Sequence, residues 1–284
     1  MTDAIKVKNL TKRYPKFTLD NICFSVKVGH ITGLIGRNGA GKSTTIKGIL
    51  KLISADGEVE IFGKSMNAEE RAVKQFIGYV SGGFRHYPLK SLATVAKTFA
   101  SFYPDFDREK YNRYLAEFNL DESKKIKELS DGMKVKFSLA LAVSHGAKLL
   151  IMDEPTSGLD PLSREEFCDI VLSLVRNEGV SVLFSTHITS DLMRLADDIV
   201  YISDGKVLAD EPLNELLSKY ALADFTSLEQ AKKAEVIGLK QTKDGYQGLI
   251  KQGCAPEGAK ISEATLDHIM IYLENAKKQE NGNA

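Results

Sequence analysis

Gly36-Arg37-Asn38-Gly39-Ala40-Gly41-Lys42-Ser43-Thr44 decides how the rest of the chain is read. The apolar run Ile31-Thr32-Gly33-Leu34-Ile35 precedes it and reads as a buried strand. Thr45-Ile46-Lys47-Gly48-Ile49-Leu50 follows and reads as the opening of a helix. G-x-x-x-x-G-K-[ST] between a strand and a helix is the P-loop pattern in its proper setting. Gly36, Gly39 and Gly41 let the backbone turn its amide hydrogens inward as an anion nest. The helix N-terminus adds partial positive charge and unpaired donors at the same spot. Lys42 is expected to neutralise β- and γ-phosphates, and the Ser43 hydroxyl to hold Mg²⁺. Arg37, Asn38, Ala40 and Thr44 complete the candidate phosphate loop. The plainer reading, a glycine-rich turn with a solvated lysine, does not require this spacing or these flanks.

A second stretch supplies the acids. Leu149-Leu150-Ile151-Met152 runs straight into Asp153-Glu154. This places two carboxylates at the carboxyl end of a buried strand, where α/β sheets bind ligands. Neighbouring strand residues point to opposite faces, so the strand must end there for both to reach one site. Asp153 is the candidate for the Mg²⁺ shell and Glu154 for polarising an attacking water. Val180 to Thr186 reads as another buried strand, ending at His187, which raises the odds that this histidine faces the phosphates.

Composition narrows the class. The 284 residues allow one large domain plus a small module. Lys+Arg and Asp+Glu both number 38, so bulk charge gives no push toward nucleic acid, and none is expected as partner. Cys23, Cys168 and Cys254 are scattered, as reduced thiols are, with no metal-ligand spacing. No apolar run approaches a membrane span and no signal-peptide core is visible, so a membrane role needs another subunit to cross.

Along the chain, Ile5–Leu10, Phe17–Leu19 and Ile22–Val26 read as strands, with a break at Asp20-Asn21. Tyr14 falls in the loop between the first two, placed either to stack on a flat ring or to cover the core edge. Gly57–Gly63 reads as a strand, Glu69–Phe76 as a short helix, and Phe76–Ser81 as a strand leaving through Gly82-Gly83. Leu89 to His145 turns mainly helical, with Ser130 as an N-cap. Arg164–Arg176 reads as a helix, and Ile199–Ser203 with Lys206–Ala209 as a hairpin. Past Pro212, Leu213–Tyr220 reads as helix, Thr226 to Glu229 as a capping box, Val236–Ile250 as two strands, and Ser262–Lys278 as a helix before a frayed tail.

These motifs together resemble the ATP-binding subunits of ABC transporters, over roughly residues 3 to 215. Leu129-Ser130-Asp131-Gly132-Met133 is similar to the family signature, Leu149–Glu154 to its magnesium strand, and Ser157-Gly158-Leu159-Asp160 to its D-loop. His187 matches the switch histidine and Tyr14 the aromatic that stacks on adenine. The resemblance implies an α/β P-loop NTPase core with a mainly parallel sheet. It adds an N-terminal antiparallel β subdomain, a helical subdomain near 85–145 and a small C-terminal α+β module. The expected domains are 1–216 for the ATPase and 217–284 for the accessory module.

The resemblance also implies a mechanism. Two ATPase subunits, expected to be identical, face head to tail. ATP with Mg²⁺ lies between the P-loop of one and Ser130 and Gly132 of the other, with Asp160 nearby. Lys42, Glu154 and His187 are the catalytic set. Hydrolysis releases the pair and drives separate integral membrane permease subunits at the cytoplasmic membrane face, in the manner of bacterial exporters. A soluble family member with a regulatory or assembly role and no permease is the alternative. Two departures stand out. The family's glutamine after the strand ending at Ser81 is absent, with Gly82-Gly83 in its place. Asp131 replaces a signature glycine, and its charge would repel phosphate unless it points away.

Overall fold

The computed structural model describes residues 3–82, 86–254 and 256–282. The chain divides into two compact units, Met1–Asp210 and Glu211–Ala284.

In the first unit, β1 (Asp3–Tyr14) and β2 (Phe17–Lys27) form a long hairpin. β3 (Ile31–Ile35) leads through the P-loop into α1 (Lys42–Ile49). β4 (Asp56–Ile61) and β5 (Lys64–Ser65) follow, then α2 (Glu70–Lys74) and β6 (Ile77–Ser81). The helical segment comprises α3 (Leu92–Ala100), α4 (Arg108–Glu117), a 3₁₀ turn at Ile126–Glu128, and α5 (Asp131–Ser144). β7 (Leu149–Asp153), α6 (Pro161–Glu178), β8 (Ser181–Thr186), α7 (Thr189–Leu195), β9 (Asp198–Ser203) and β10 (Lys206–Pro212) complete the succession.

The strands sort into a four-stranded antiparallel sheet, β2-β1-β4-β5, and a six-stranded sheet, β10-β9-β3-β8-β7-β6. In the latter β3 runs parallel to β8 and β9, and β7 to β6 and β8. This is the expected P-loop α/β core. Such strands are covered on both faces, which is why they read as unbroken apolar runs. On one face Leu34, Ile151, Leu183 and Val200 join Ile46 and Ile49 of α1 and the antiparallel sheet in one core. The opposite face receives α7, whose Leu192 lies against Gly33.

The two strands expected around Asp20-Asn21 are one. β2 carries a bulge there: Leu10 pairs with Ile22 and Lys12 with Leu19. Asn21 sits at φ +52°, a left-handed conformation that asparagine tolerates. Asn9, at φ +54°, marks the matching bulge on β1. Tyr14 is accordingly the last residue of β1, paired with Phe17, and not part of the loop. The loop shrinks to the turn Pro15-Lys16. Of the exit expected at Gly82-Gly83, Gly83 lies outside the described residues, as does residue 85 at the edge of the helical subdomain.

The second unit holds α8 (Leu213–Ser218), β11 (Tyr220–Phe225), α9 (Leu228–Lys232), β12 (Ile237–Gln241), β13 (Tyr246–Lys251), β14 (Lys260–Glu263) and α10 (Leu266–Gly282). Its sheet order is β12-β13-β11-β14. Four details differ from expectation, the first being β11 itself, whose opening Tyr220 reads in sequence as the end of the preceding helix. The capping residue of α9 is Ser227, one position later than expected, and its Oγ accepts from the Gln230 N–H. The start assigned to the last helix belongs to β14, which pairs with β11. That helix also continues to Gly282 instead of fraying. Among the described residues, no helix is long and apolar enough to cross a membrane.

Candidate functional site

Parallel register brings the ends of four strands to one edge. Ser81 pairs with Asp153, Asp153 with Ser185, and Ser185 with Leu34. The P-loop leaves the end of β3, Glu154 the end of β7 and His187 the end of β8. Residues far apart in sequence therefore meet because the sheet is in register.

The P-loop glycines act in two ways. Gly39 and Gly41 have φ of +86° and +117°, so the loop needs residues free to enter the left-handed region. Gly36 is needed for space: a Cβ there would lie 2.2 Å from the Ile202 carbonyl oxygen. Gly41 is the N-cap of α1 and provides no side-chain cap, which leaves the helix N-terminus to a ligand. Lys42 is buried, and its Nζ donates to the Gly36 carbonyl at 2.8 Å. Ser43 Oγ donates to Asp153 Oδ1 at 3.1 Å. Burial pushes the Asp153 carboxyl above the usual carboxylate range, and the Ser43 hydrogen bond opposes this.

Glu154 joins the catalytic candidates. Its Oε1 lies 3.2 Å from Lys42 Nζ, and its Oε2 lies 2.7 Å from His187 Nδ1. It has φ +50°, unusual for a residue with a side chain. Its N–H donates to the Ser185 carbonyl at 2.9 Å and its carbonyl accepts from the Ser157 N–H at 3.2 Å.

A cavity of about 660 Å³ opens at this edge. Tyr14, Arg37, Asn38, Gly39, Gly41 to Thr44, Glu154 and His187 line it. Gly36 and Ala40 stand behind it, Ala40 buried in the core. Lys16, Phe17 and Ser157 also line it and were not anticipated as site residues. Phe17 pairs with Tyr14 across the hairpin end, so an aromatic beside a proposed stacking tyrosine was the signal available. Tyr14 is half exposed, with Lys12 Nζ 5.5 Å from its ring centroid.

Ser130, Gly132 and Asp160 form a second group outside this cavity. Ser130 Oγ caps α5 by accepting the Met133 N–H at 3.2 Å. Gly132 sits beside Leu159 and Ser163, near the start of α6. Asp160 caps α6 by accepting from the Ser163 N–H and Oγ, and these bonds hold its carboxyl below the usual range. Asp131 pairs with Lys134 at 2.9 Å, so its charge is partly neutralised on its own helix.

A buried strut connects the turn after Glu154 to α7, the helix that follows His187. Thr156 Oγ1 donates to Asp191 Oδ2 at 2.6 Å, and both residues are buried. Burial pushes the Asp191 carboxyl up, while Thr156 and the Arg164 guanidinium oppose the shift. Asp191→Ala leaves the Thr156 hydroxyl buried and unpaired, so a loss of about 1–3 kcal/mol is expected. A denaturant melt with unchanged m-value measures it.

Comparison with known proteins agrees with this arrangement. The family model for ABC transporters matches residues 19–157. The bacitracin transport ATP-binding protein BcrA of Bacillus licheniformis is 33% identical over 244 residues, covering 84% of this chain and 79% of BcrA. The Nod factor export ATP-binding protein I of Burkholderia orbicola (strain AU 1054) is 34% identical over 229 residues, covering 72% and 70%. A solved structure of an ABC transporter ATP-binding subunit superposes with a TM-score of 0.67 at 30% identity, covering 75% of this chain and 91% of that one. A dimeric cassette bound to ADP and Pi gives a TM-score of 0.63 at 25% identity, covering 74% and 98%. With the phosphate loop, acid strand and histidine gathered at one sheet edge, the chain belongs to the ABC transporter ATP-binding proteins and hydrolyses ATP to energise transport.

Proposed function

We propose that two copies of this chain close head to tail on two ATP molecules and drive export through separate membrane permease subunits, from the cytoplasmic membrane face. One observation carries the reading: the named residues fall into two groups, and only one lines the cavity. Ser130 and Gly132 sit at the N-terminus of α5, with donors facing no phosphate in their own chain's cavity. A second copy gives them one. Direction rests on the relatives named for transport of bacitracin and export of Nod factor. The ATPase role is assigned to residues 1–216 and an accessory role to 217–284.

Within each site Tyr14 stacks on adenine. The amides of residues 36–44 and the Lys42 ammonium hold the phosphates. Glu154 accepts the proton of the attacking water, and His187, 2.7 Å from it, orients the carboxylate and meets the γ-phosphate. Asp160 organises the turn before α6. The Ser43 hydroxyl and Asp153 carboxylate offer the hard oxygen donors that suit Mg²⁺. Among the described residues no group of three or more His, Cys, Asp and Glu is arranged to hold a metal. That agrees with an ion held by few protein ligands and completed by phosphates and water. When bound, Mg²⁺ offsets charge on the phosphate oxygens.

The test is association of purified protein under ATP, read by light scattering. ATP with Mg²⁺ is expected to double the mass of the Glu154→Gln protein, and chelation with EDTA to return it to the monomer. A mass unmoved by Mg-ATP overturns the dimer. Co-purification from detergent extracts without a polytopic partner would favour the soluble role instead.

A further inference from the structure

Gly82 stands where the family resemblance leads one to expect glutamine, and its surroundings give the reason. It is one residue past β6, and its N–H donates to the Asp153 carbonyl at 3.0 Å. A Cβ built on Gly82 would lie 2.4 Å from the Glu154 carbonyl oxygen and 3.4 Å from the carbonyl carbon. The obstacle is backbone, so no rotamer change clears it. Its φ lies outside the left-handed region that favours glycine, so space and not conformational freedom is what the position demands.

We propose that Gly82 is a positioning residue for Glu154, and that the missing glutamine is excluded by the way this chain holds its catalytic carboxylate. The inference rests on Glu154 as the base. The Glu154 peptide is fixed at three points: its N–H on the Ser185 carbonyl, its carbonyl on the Ser157 N–H, and that same carbonyl packed against Gly82. Those contacts keep a non-glycine residue at φ +50°. The left-handed turn sets the direction of the side chain between Lys42 and His187. An ordinary contact needs roughly 1 Å more room than Gly82 leaves for any Cβ, and a misplacement of about 1 Å at a reacting group costs on the order of 100-fold in rate. The glutamine's carbon chain would therefore disturb the carboxylate before its amide contributed anything.

The experiment compares Gly82→Ala, Gly82→Gln and Glu154→Gln in the full chain, by steady-state phosphate release and by equilibrium binding of ATP. Both Gly82 variants are expected to lose about 100-fold in kcat, with the Kd for ATP within threefold of the parent. They are also expected to accumulate the ATP-bound pair as Glu154→Gln does. A kcat in Gly82→Ala or Gly82→Gln equal to or above the parent's overturns the inference, provided Glu154→Gln is inactive. Parallel loss of kcat, ATP affinity and thermal stability in Gly82→Ala overturns it as well, because that marks simple damage to the fold. If Gly82→Gln fails to fold, Gly82→Ala decides alone. If Glu154→Gln turns over normally, it is the assignment of the base that fails.

Discussion

The Glu154→Gln protein takes up ATP and does not turn it over. A positioned general base contributes about 10²–10⁴-fold, so kcat is expected to fall by that factor or more. Glutamine keeps the shape of the side chain and can still accept from Lys42, 3.2 Å away, and meet His187 at 2.7 Å. It removes the basic oxygen. It also removes a negative charge close to where the phosphates lie, so ATP affinity is expected to rise. The two changes together stabilise the closed pair. Phosphate release measures the first, ATP binding the second, and light scattering the third. Hydrolysis at the parent rate would remove Glu154 from the chemistry.

Glu154 also marks how far the sequence could be read. The P-loop, the acid strand and His187 were legible because each is a local pattern at the end of an apolar run, and parallel register then brings those ends together. The requirement that β7 end before Glu154 was also visible, since alternation would otherwise send the two carboxylates to opposite faces. The means was not. A φ of +50° at a glutamate has no sequence signature, because it is imposed by Ser185 and Gly82 from two other segments together with Ser157 of its own turn. For the same reason Gly82 read as a loss and not as a fit.

In the second unit, β11 escaped notice. Tyr220-Ala221-Leu222-Ala223 carries three good helix formers, and tertiary pairing on both sides by β13 and β14 overrides that propensity. The bulge at Asn21 looked like a break because a left-handed asparagine inside a strand and one in a turn leave the same residue in sequence. The division of the site residues into two groups is tertiary as well: Ser130, Gly132 and Asp160 fall at the nucleotide in the resemblance, whereas within one copy Ser130 and Asp160 cap helices and Gly132 sits in the first turn of α5.

Lys42→Ala is expected to do the opposite of Glu154→Gln to ATP affinity. The ammonium is 5% exposed and is held by the Gly36 carbonyl at 2.8 Å and Glu154 Oε1 at 3.2 Å. Removing one member of a buried, hydrogen-bonded charge pair costs about 2–5 kcal/mol. If the phosphates take the place of Glu154 on binding, the Kd for Mg-ATP rises roughly 30- to 5,000-fold. The free protein loses a partner for Glu154 too, so part of the loss falls on the unliganded state and the observed factor is expected toward the lower end. Because Lys42 and Glu154 touch, the two substitutions are not independent. In the double variant, Glu154→Gln is expected to improve affinity by less than it does in the parent, since part of its effect was relief of the competition for the Lys42 ammonium. Isothermal titration of the parent, both single variants and the double variant closes that cycle. Strict additivity would mean that Lys42 meets phosphate without first letting go of Glu154.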